Sequence, residues 1–443
     1  MTSYAQRRAT LLAHMHAHGG GVAIIPTAPE VMRNRDADYP YRHDSYFYYL
    51  SGFTEPEALI VLVAGKTDRS ILFCREKNLE REIWDGYRYG PDAARDAFGF
   101  DAAFSIDALD VEMPKLLADA PALFHTLGHD AKLDARIQDW LRAVRAQARA
   151  GVGEPSTIHD VHVPLDQMRL IKDGGEIDIM RRAAQISAGA HRRAMAAARA
   201  GLREYHLEAE LLHEFRRHGS QFPAYGSIVA AGANACVLHY RAGDAELRDG
   251  DLVLIDAGCE LDGYASDITR TFPVGGRFSA PQQALYEIVL AAQYAAIAET
   301  APGKSFMEGH DAAVRVLAQG MLDTGLLDRN KVGDLQDVLE KGDYRQFYMH
   351  RTGHWLGMDV HDVGDYREPG PAEGERPWRK LVPGMVLTIE PGIYVRPEQG
   401  VPEQFWNIGI RIEDDALVTE TGCELLSEGT PKTVAEVEAA MRG

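Results

Sequence analysis

Cysteine is scarce in this chain. Cys74, Cys236, Cys259 and Cys423 are the whole complement, widely separated and without a CxxC pair, which argues against both a disulfide-built scaffold and a thiolate zinc site. Long apolar runs are missing as well. The N-terminal MTSYAQRRATLLAHMHAHGGG interrupts its apolar residues with Arg, His and Gln, and the GVAIIP that follows is far shorter than a signal core or a membrane span. Basic charge is in deficit, with 47 Lys and Arg against 66 Asp and Glu and a formal charge of -19. Such a surface repels a phosphate backbone and an anionic bilayer alike. These absences predict a reducing, cytoplasmic setting, with neither nucleic acid nor membrane as a partner.

What is present is a long chain of ordinary globular composition, 45% hydrophobic and 26% charged over 443 residues. Single cores stop growing at roughly 250 to 300 residues, so two domains are expected. Residues 3–18 read as a short amphipathic helix, 21–26, 57–65 and 69–74 as strands, and 132–148 as a helix. That mixture predicts a smaller α/β domain over residues 1–170, and Gly, Pro and Ser cluster near its end in GVGEPSTIHDVHVPLDQMRLIKDGGEID. Asp173 and Glu176 have capping-box spacing ahead of an amphipathic run over 177–200. A second domain, 171–443, is therefore expected, with further helices near 204–218, 280–300 and 308–325 covering a largely antiparallel sheet in an α+β arrangement. No internal repeat or low-complexity tract is evident.

The informative residues are carboxylates set in apolar strands, because a buried carboxylate is costly unless something compensates it. In DLVLIDAGCELDGYASDITRTF, Asp262-Gly263 is a hairpin signal. With those two residues as the loop, Asp256 faces Thr269 and Asp267 faces Gly258, so Asp256 and Asp267 share a face of the ribbon. In NIGIRIEDD, strand alternation places Arg411 and Glu413 on the side opposite Ile408, Ile410 and Ile412. Glu390 closes the apolar run of GMVLTIEPG, where Pro391-Gly392 ends regular pairing. Each acid alone has an ordinary reading as a strand end or ion-pair member. If the four converge they repel one another, and one or two divalent cations are the natural compensation.

HRTGHWLGMDVHD, 350–362, supplies imidazoles. His350 and His354 have the i, i+4 spacing of a helical zinc site, but no Glu follows His350 and Gly353 disfavours a helix. One imidazole among four carboxylates makes an oxygen-rich site that suits Mn²⁺, with Zn²⁺, Co²⁺ and Fe²⁺ also able to bind.

These stretches, together with TIEPG and the N-terminal RDADYPYRHDSYFYYLSGFTEPEA, resemble the pita-bread metallopeptidases, and within them the aminopeptidase P group, over nearly the whole length. The resemblance implies a C-terminal pita-bread catalytic domain, with the N-terminal domain contributing to the substrate cleft and to oligomer contacts. It implies two divalent metals: Asp256 on one, His354 and Glu390 on the other, and Asp267 with Glu413 bridging both. Glu390 would also help move a proton. His239 and His361 match substrate-contacting histidines, and His350, Tyr394 and Arg411 match a polar network around the proline subsite. Asp36 and Trp84 match positions that approach the substrate, the latter from a neighbouring subunit. Val161 and His162 depart from the group, where Trp and Arg are expected.

The implied activity is hydrolysis of the N-terminal Xaa-Pro bond of peptides by a homo-oligomer, a dimer or tetramer. The alternatives are a prolidase acting on Xaa-Pro dipeptides and a non-catalytic peptide-binding protein on the same scaffold.

Overall fold

A computed structural model describes residues 3–241, 243–372 and 374–442. The chain divides into two compact units at Met168/Arg169. In the first, six strands form a mixed sheet in the order Ala102–Ser105, Arg69–Cys74, Leu59–Ala64, Gly21–Pro26, Ala122–Phe124, Thr157–His159. The three central strands pair antiparallel and the outer additions are parallel. The N-terminal helix, Tyr4–Ala17, starts in a capping box between Ser3 and Gln6. Leu133, Ile137, Trp140 and Val144 recur at helical spacing on Ala131–Arg145 and pack with Met113 and Leu117 against Val22, Ile24, Val61 and Phe73 of the sheet.

In the second unit the predicted capping box is present: Asp173 Oδ1 accepts from Gly175 N and Glu176 N at 2.8 and 3.0 Å, and Glu176 Oε2 accepts from Asp173 N at 2.9 Å. Helices Gly174–Ala197, Glu204–Arg217, Ala280–Glu299 and Phe306–Thr324 bury Met195, Leu211, Val289 and Leu317 in one large core with the strands. Every strand pair in this unit is antiparallel, as the sequence predicts, yet the strands do not make one sheet. They form small groups, among them Ile228–Ala231, Leu252–Asp256 and Thr269–Pro273, then Val386–Ile389 with Asp414–Val418 and Cys423–Leu425, then Gly392–Val395 with Ile408–Arg411. The stretches YASDITRTF and IGIRIEDDALVT are continuous and strand-like in sequence, yet each is broken in two, and GMVLTIEPGIYV breaks at Glu390 and Pro391, as the Pro391-Gly392 pair predicts. The breaks fall at the acids. Among the described residues no helix is long and apolar enough to cross a membrane.

Candidate metal centre

Each of the four carboxylates lies where a ladder stops. Asp256 ends Leu252–Asp256, Asp267 sits between Tyr264–Ala265 and Thr269–Pro273, Glu390 between Val386–Ile389 and Gly392–Val395, and Glu413 between Ile408–Arg411 and Asp414–Val418. A residue outside the pleat is released from strict alternation, so acids from several strands can turn toward one point.

The hairpin register is the predicted one. Asp262 and Gly263 both have positive φ, 50° and 81°, as a type I′ two-residue turn requires. Leu261 then faces Tyr264 and Asp256 faces Thr269. Gly258 allows the close approach opposite Asp267, for a Cβ there would lie 1.7 Å from Ser266 O. Asp256 and Asp267 do share a face: the Tyr225 hydroxyl lies 2.6 Å from Asp256 Oδ1 and also contacts Asp267 Oδ1. A phenol has one proton to give, so its second contact needs a proton on the acid.

HRTGHWLG is extended rather than helical. Thr388 N donates to His354 O, Glu390 N to Thr352 O and Leu356 N to Val386 O at 2.8–3.0 Å, so residues 352–356 run along Val386–Ile389 as an edge. Gly353 is required there, since a Cβ would meet Thr388 O at 1.9 Å. His354 Nδ1 lies 3.0 Å from the Trp355 carbonyl, which can only accept, so that nitrogen carries the proton. Its Nε2 faces Asp267 Oδ2 and Glu390 Oε1, 3.4 and 3.9 Å away. His361 stacks on the His354 ring at 3.9 Å, because the chain turns back through Asp362 N to Trp355 O.

Burial, and then the neighbouring acids, push the carboxyls of Asp267 and Glu413 well above the usual range, and Glu390 up to about 8. Asp267, His354 and Glu413 each offer a ligand atom within 4.8 Å of the other two. Crowded buried anions, an imidazole held by its Nδ1 with Nε2 facing inward, and no thiolate make a donor set that fits hard or borderline divalent cations. Asp256 joins the cluster through Tyr225, and Glu390 through its approach to His354.

Arg411 balances part of this charge, donating to Asp256 Oδ2 at 2.6 Å, to the Tyr394 hydroxyl at 3.0 Å and to Thr269 Oγ1 at 3.2 Å. Burial opposes its charge, but Tyr394 and the surrounding acids more than compensate and raise its pKa. The hydroxyl of Thr269 in turn bonds Glu413 Oε2 at 2.7 Å. His350 Nε2 reaches Tyr394 at 2.9 Å, and burial with Arg411 nearby lowers its pKa to about 3; burial and the neighbouring imidazoles lower that of His361 to about 4. Both rings are neutral at physiological pH.

The acids, His239, His350, His354, His361 and Arg411 line a cavity of about 600 Å³ together with Ile228, Leu238 and Val360. Tyr394 lies behind this wall through its bonds to His350 and Arg411. Asp36, in the exposed Met32–Asp38 ribbon, and Trp84, 81% exposed on Leu79–Asp85, belong to the first unit and are not in this lining. The same is true of buried Val161 and of His162, which stacks on Tyr46. Tyr225 and Thr269 were missed by sequence reasoning. Tyr225 lies outside any strand, with no periodicity to flag it, whereas Thr269 was found only as the residue facing Asp256 and could have been read as its polar partner.

The chain matches the family described as Metallopeptidase family M24 over residues 178–420, and the Aminopeptidase P N-terminal domain over residues 4–124. It is 44% identical to the Xaa-Pro aminopeptidase of Escherichia coli over 99% of this chain and 97% of that protein, and 43% identical to that of Haemophilus influenzae over 99% and 96%. Among solved structures, aminopeptidase PepP of Pseudomonas aeruginosa superimposes with a TM-score of 0.95 at 50% identity, covering 100% of this chain and 99% of that one.

Proposed function

From the premise that this chain belongs to metallopeptidase family M24, with a pita-bread catalytic domain behind an aminopeptidase P N-terminal domain, we propose that it removes the first residue from peptides with proline in second position. The observation that carries this is the convergence of Asp256, Asp267, Glu390, Glu413 and His354 Nε2 in one cavity.

In this reading Asp256, Asp267, Glu390, Glu413 and His354 would together hold two divalent cations. Divalent cations bound there polarise a carbonyl oxygen and make a nucleophile of water at neutral pH. Mn²⁺ is the proposed metal, since four of the five donors are carboxylates. Glu390, at the cavity surface with 18% of its side chain exposed, takes the proton from the attacking water and returns it to the leaving nitrogen. His239 and His361 hydrogen-bond the substrate, and the His350, Tyr394 and Arg411 network keeps Asp256 and the cavity wall oriented. Proline offers no N–H to its binding site, so the apolar stretch of Ile228, Leu238 and Val360 suits its ring.

The domain division proposed is 1–170 and 171–443, with Asp36 and Trp84 serving the substrate from the N-terminal domain of a homo-oligomer, in Trp84's case across a subunit boundary. A cytoplasmic location is supported by four cysteines that are all free, three of them buried. A prolidase reading is not favoured by the relatives.

The test strips metal, adds Mn²⁺ and offers an Xaa-Pro dipeptide, an Xaa-Pro-Yaa tripeptide and an Xaa-Ala-Yaa control. Release of the first residue from the proline tripeptide alone, and only with metal, is the expected result. Cleavage confined to the dipeptide overturns the proposal.

A further inference from the structure

The cavity is uneven in its charges. Its acids gather at the metal centre, and of the three guanidiniums in its lining Arg411 is committed to Asp256 at 2.6 Å. The other two, Arg241 and Arg351, pair with no carboxylate among the described residues. Arg351 rests instead over the ring of Trp378, 5.5 Å from its centroid. An aromatic face orients a guanidinium yet leaves its N–H donors available to other acceptors. Arg241 follows directly on Tyr240, whose hydroxyl bonds Glu204 Oε2 at 2.8 Å, and Glu204 is fully buried and also holds Ala231 N and Asn234 Nδ2 at 2.9 Å. The segment bearing Arg241 is thus anchored from behind. The Arg241 Nη1 passes 3.3 Å from where a side chain on Gly226 would begin.

In a chain of net charge -19, two guanidiniums without acid partners facing one cavity form a receptor for an anion. The anion that every unmodified peptide carries is its terminal carboxylate. Resting on the aminopeptidase reading above, we propose that Arg351 and Arg241 recognise the free C-terminal carboxylate of short peptides, so that the preferred substrates are tripeptides with an unblocked C-terminus. The planar fork of arginine matches a carboxylate in two parallel hydrogen bonds, which an amide cannot reproduce.

The test compares an Xaa-Pro-Yaa acid with its C-terminal amide on the Mn²⁺-loaded full chain and on Arg351→Gln, Arg351→Lys and Arg241→Gln. The wild type is expected to favour the acid about ten-fold in kcat/KM, mainly through KM, equivalent to about 1.4 kcal/mol. That ratio falls toward one in Arg351→Gln, falls in part in Arg241→Gln, and is partly retained in Arg351→Lys. On the wild type alone the ratio also shrinks as salt is raised, so a variant that fails to fold does not end the test. A wild-type ratio of one, a ratio indifferent to salt, or a ratio unmoved in both glutamine variants overturns the proposal. If the aminopeptidase reading itself fails, neither the acid nor the amide loses its first residue, a distinct outcome.

Discussion

Glu413 and Asp414 are neighbours in the chain, both are buried, and their electrostatic situations are opposite. Around Asp414 the charges close: Arg270 Nη2 donates to it at 2.7 Å, Lys432 Nζ at 2.8 Å, Ser427 Oγ at 2.7 Å and Gln293 Nε2 at 3.0 Å. Burial alone would raise its pKa, yet the two cations hold it below the usual carboxylate range. Around Glu413 the charges do not close. Its acid neighbours outnumber Arg411, and burial with Asp267 and Asp256 drives it upward. A self-sufficient cluster needs nothing from outside and acts as structure; an acid cluster short of positive charge is completed by something the chain does not carry.

The largest expected effect comes from breaking the closed side. Arg270→Met takes from Asp414 one of its two cations, leaving Lys432 with the neutral donors Ser427 and Gln293, and strips donors from the carbonyls of Glu413, Thr269, Thr430 and Pro431. Denaturant unfolding should show a loss of about 3–5 kcal/mol. On the open side, Tyr225→Phe removes the hydroxyl shared by Asp256 and Asp267. Metal titration followed by activity should show affinity or turnover reduced about 10–100-fold, with the unfolding midpoint of the metal-free protein little changed; unchanged values on both counts would show Tyr225 to be a bystander.

The smallest effect is a pH signature. In the metal-free protein Glu390 is raised from 4.5 to about 8, so between those values the folded state holds more protons than the unfolded one and stability declines as pH rises. The expected decline is about 1–2 kcal/mol, below that of a sealed group because 18% of the side chain is exposed. Asp414 works the other way: its contribution is present above the ordinary carboxylate range and is lost as pH falls through it. Melting scans of stripped protein should therefore fall off on both sides, and Mn²⁺ should abolish the alkaline loss alone. An alkaline loss that persists with metal bound would mean the open cluster is not where the cation goes.

Much of this site was legible because it rests on local rules. Asp262-Gly263 sets a turn, the turn sets a register, and the register puts Asp256 and Asp267 on one face, all from residues adjacent in the chain. The capping box at Asp173 likewise announced the first helix of the second unit. What could not be read depends on meetings between distant segments. The strand breaks at Asp267 and Glu413 leave no mark in hydrophobic alternation, and Tyr225 gains its place only because Phe222–Pro223 pairs beside the hairpin. Asp415, whose carboxyl receives Asp267 N at 3.2 Å, is set apart by nothing in the sequence EDD from the acids beside it.

The tight hairpin between Asp256 and Asp267 has a consequence for how this chain tolerates change in length. Side chains alternate along a ribbon, so one residue added or lost on either arm between them would carry one aspartate to the opposite face, whatever residue it was. Gly258 also bars any side chain from the crossing point. Insertions accepted freely in exposed loops would be eliminated here. A library of single-residue insertions and deletions should find in this segment a ruler whose length is kept as strictly as the identity of the acids at its two ends.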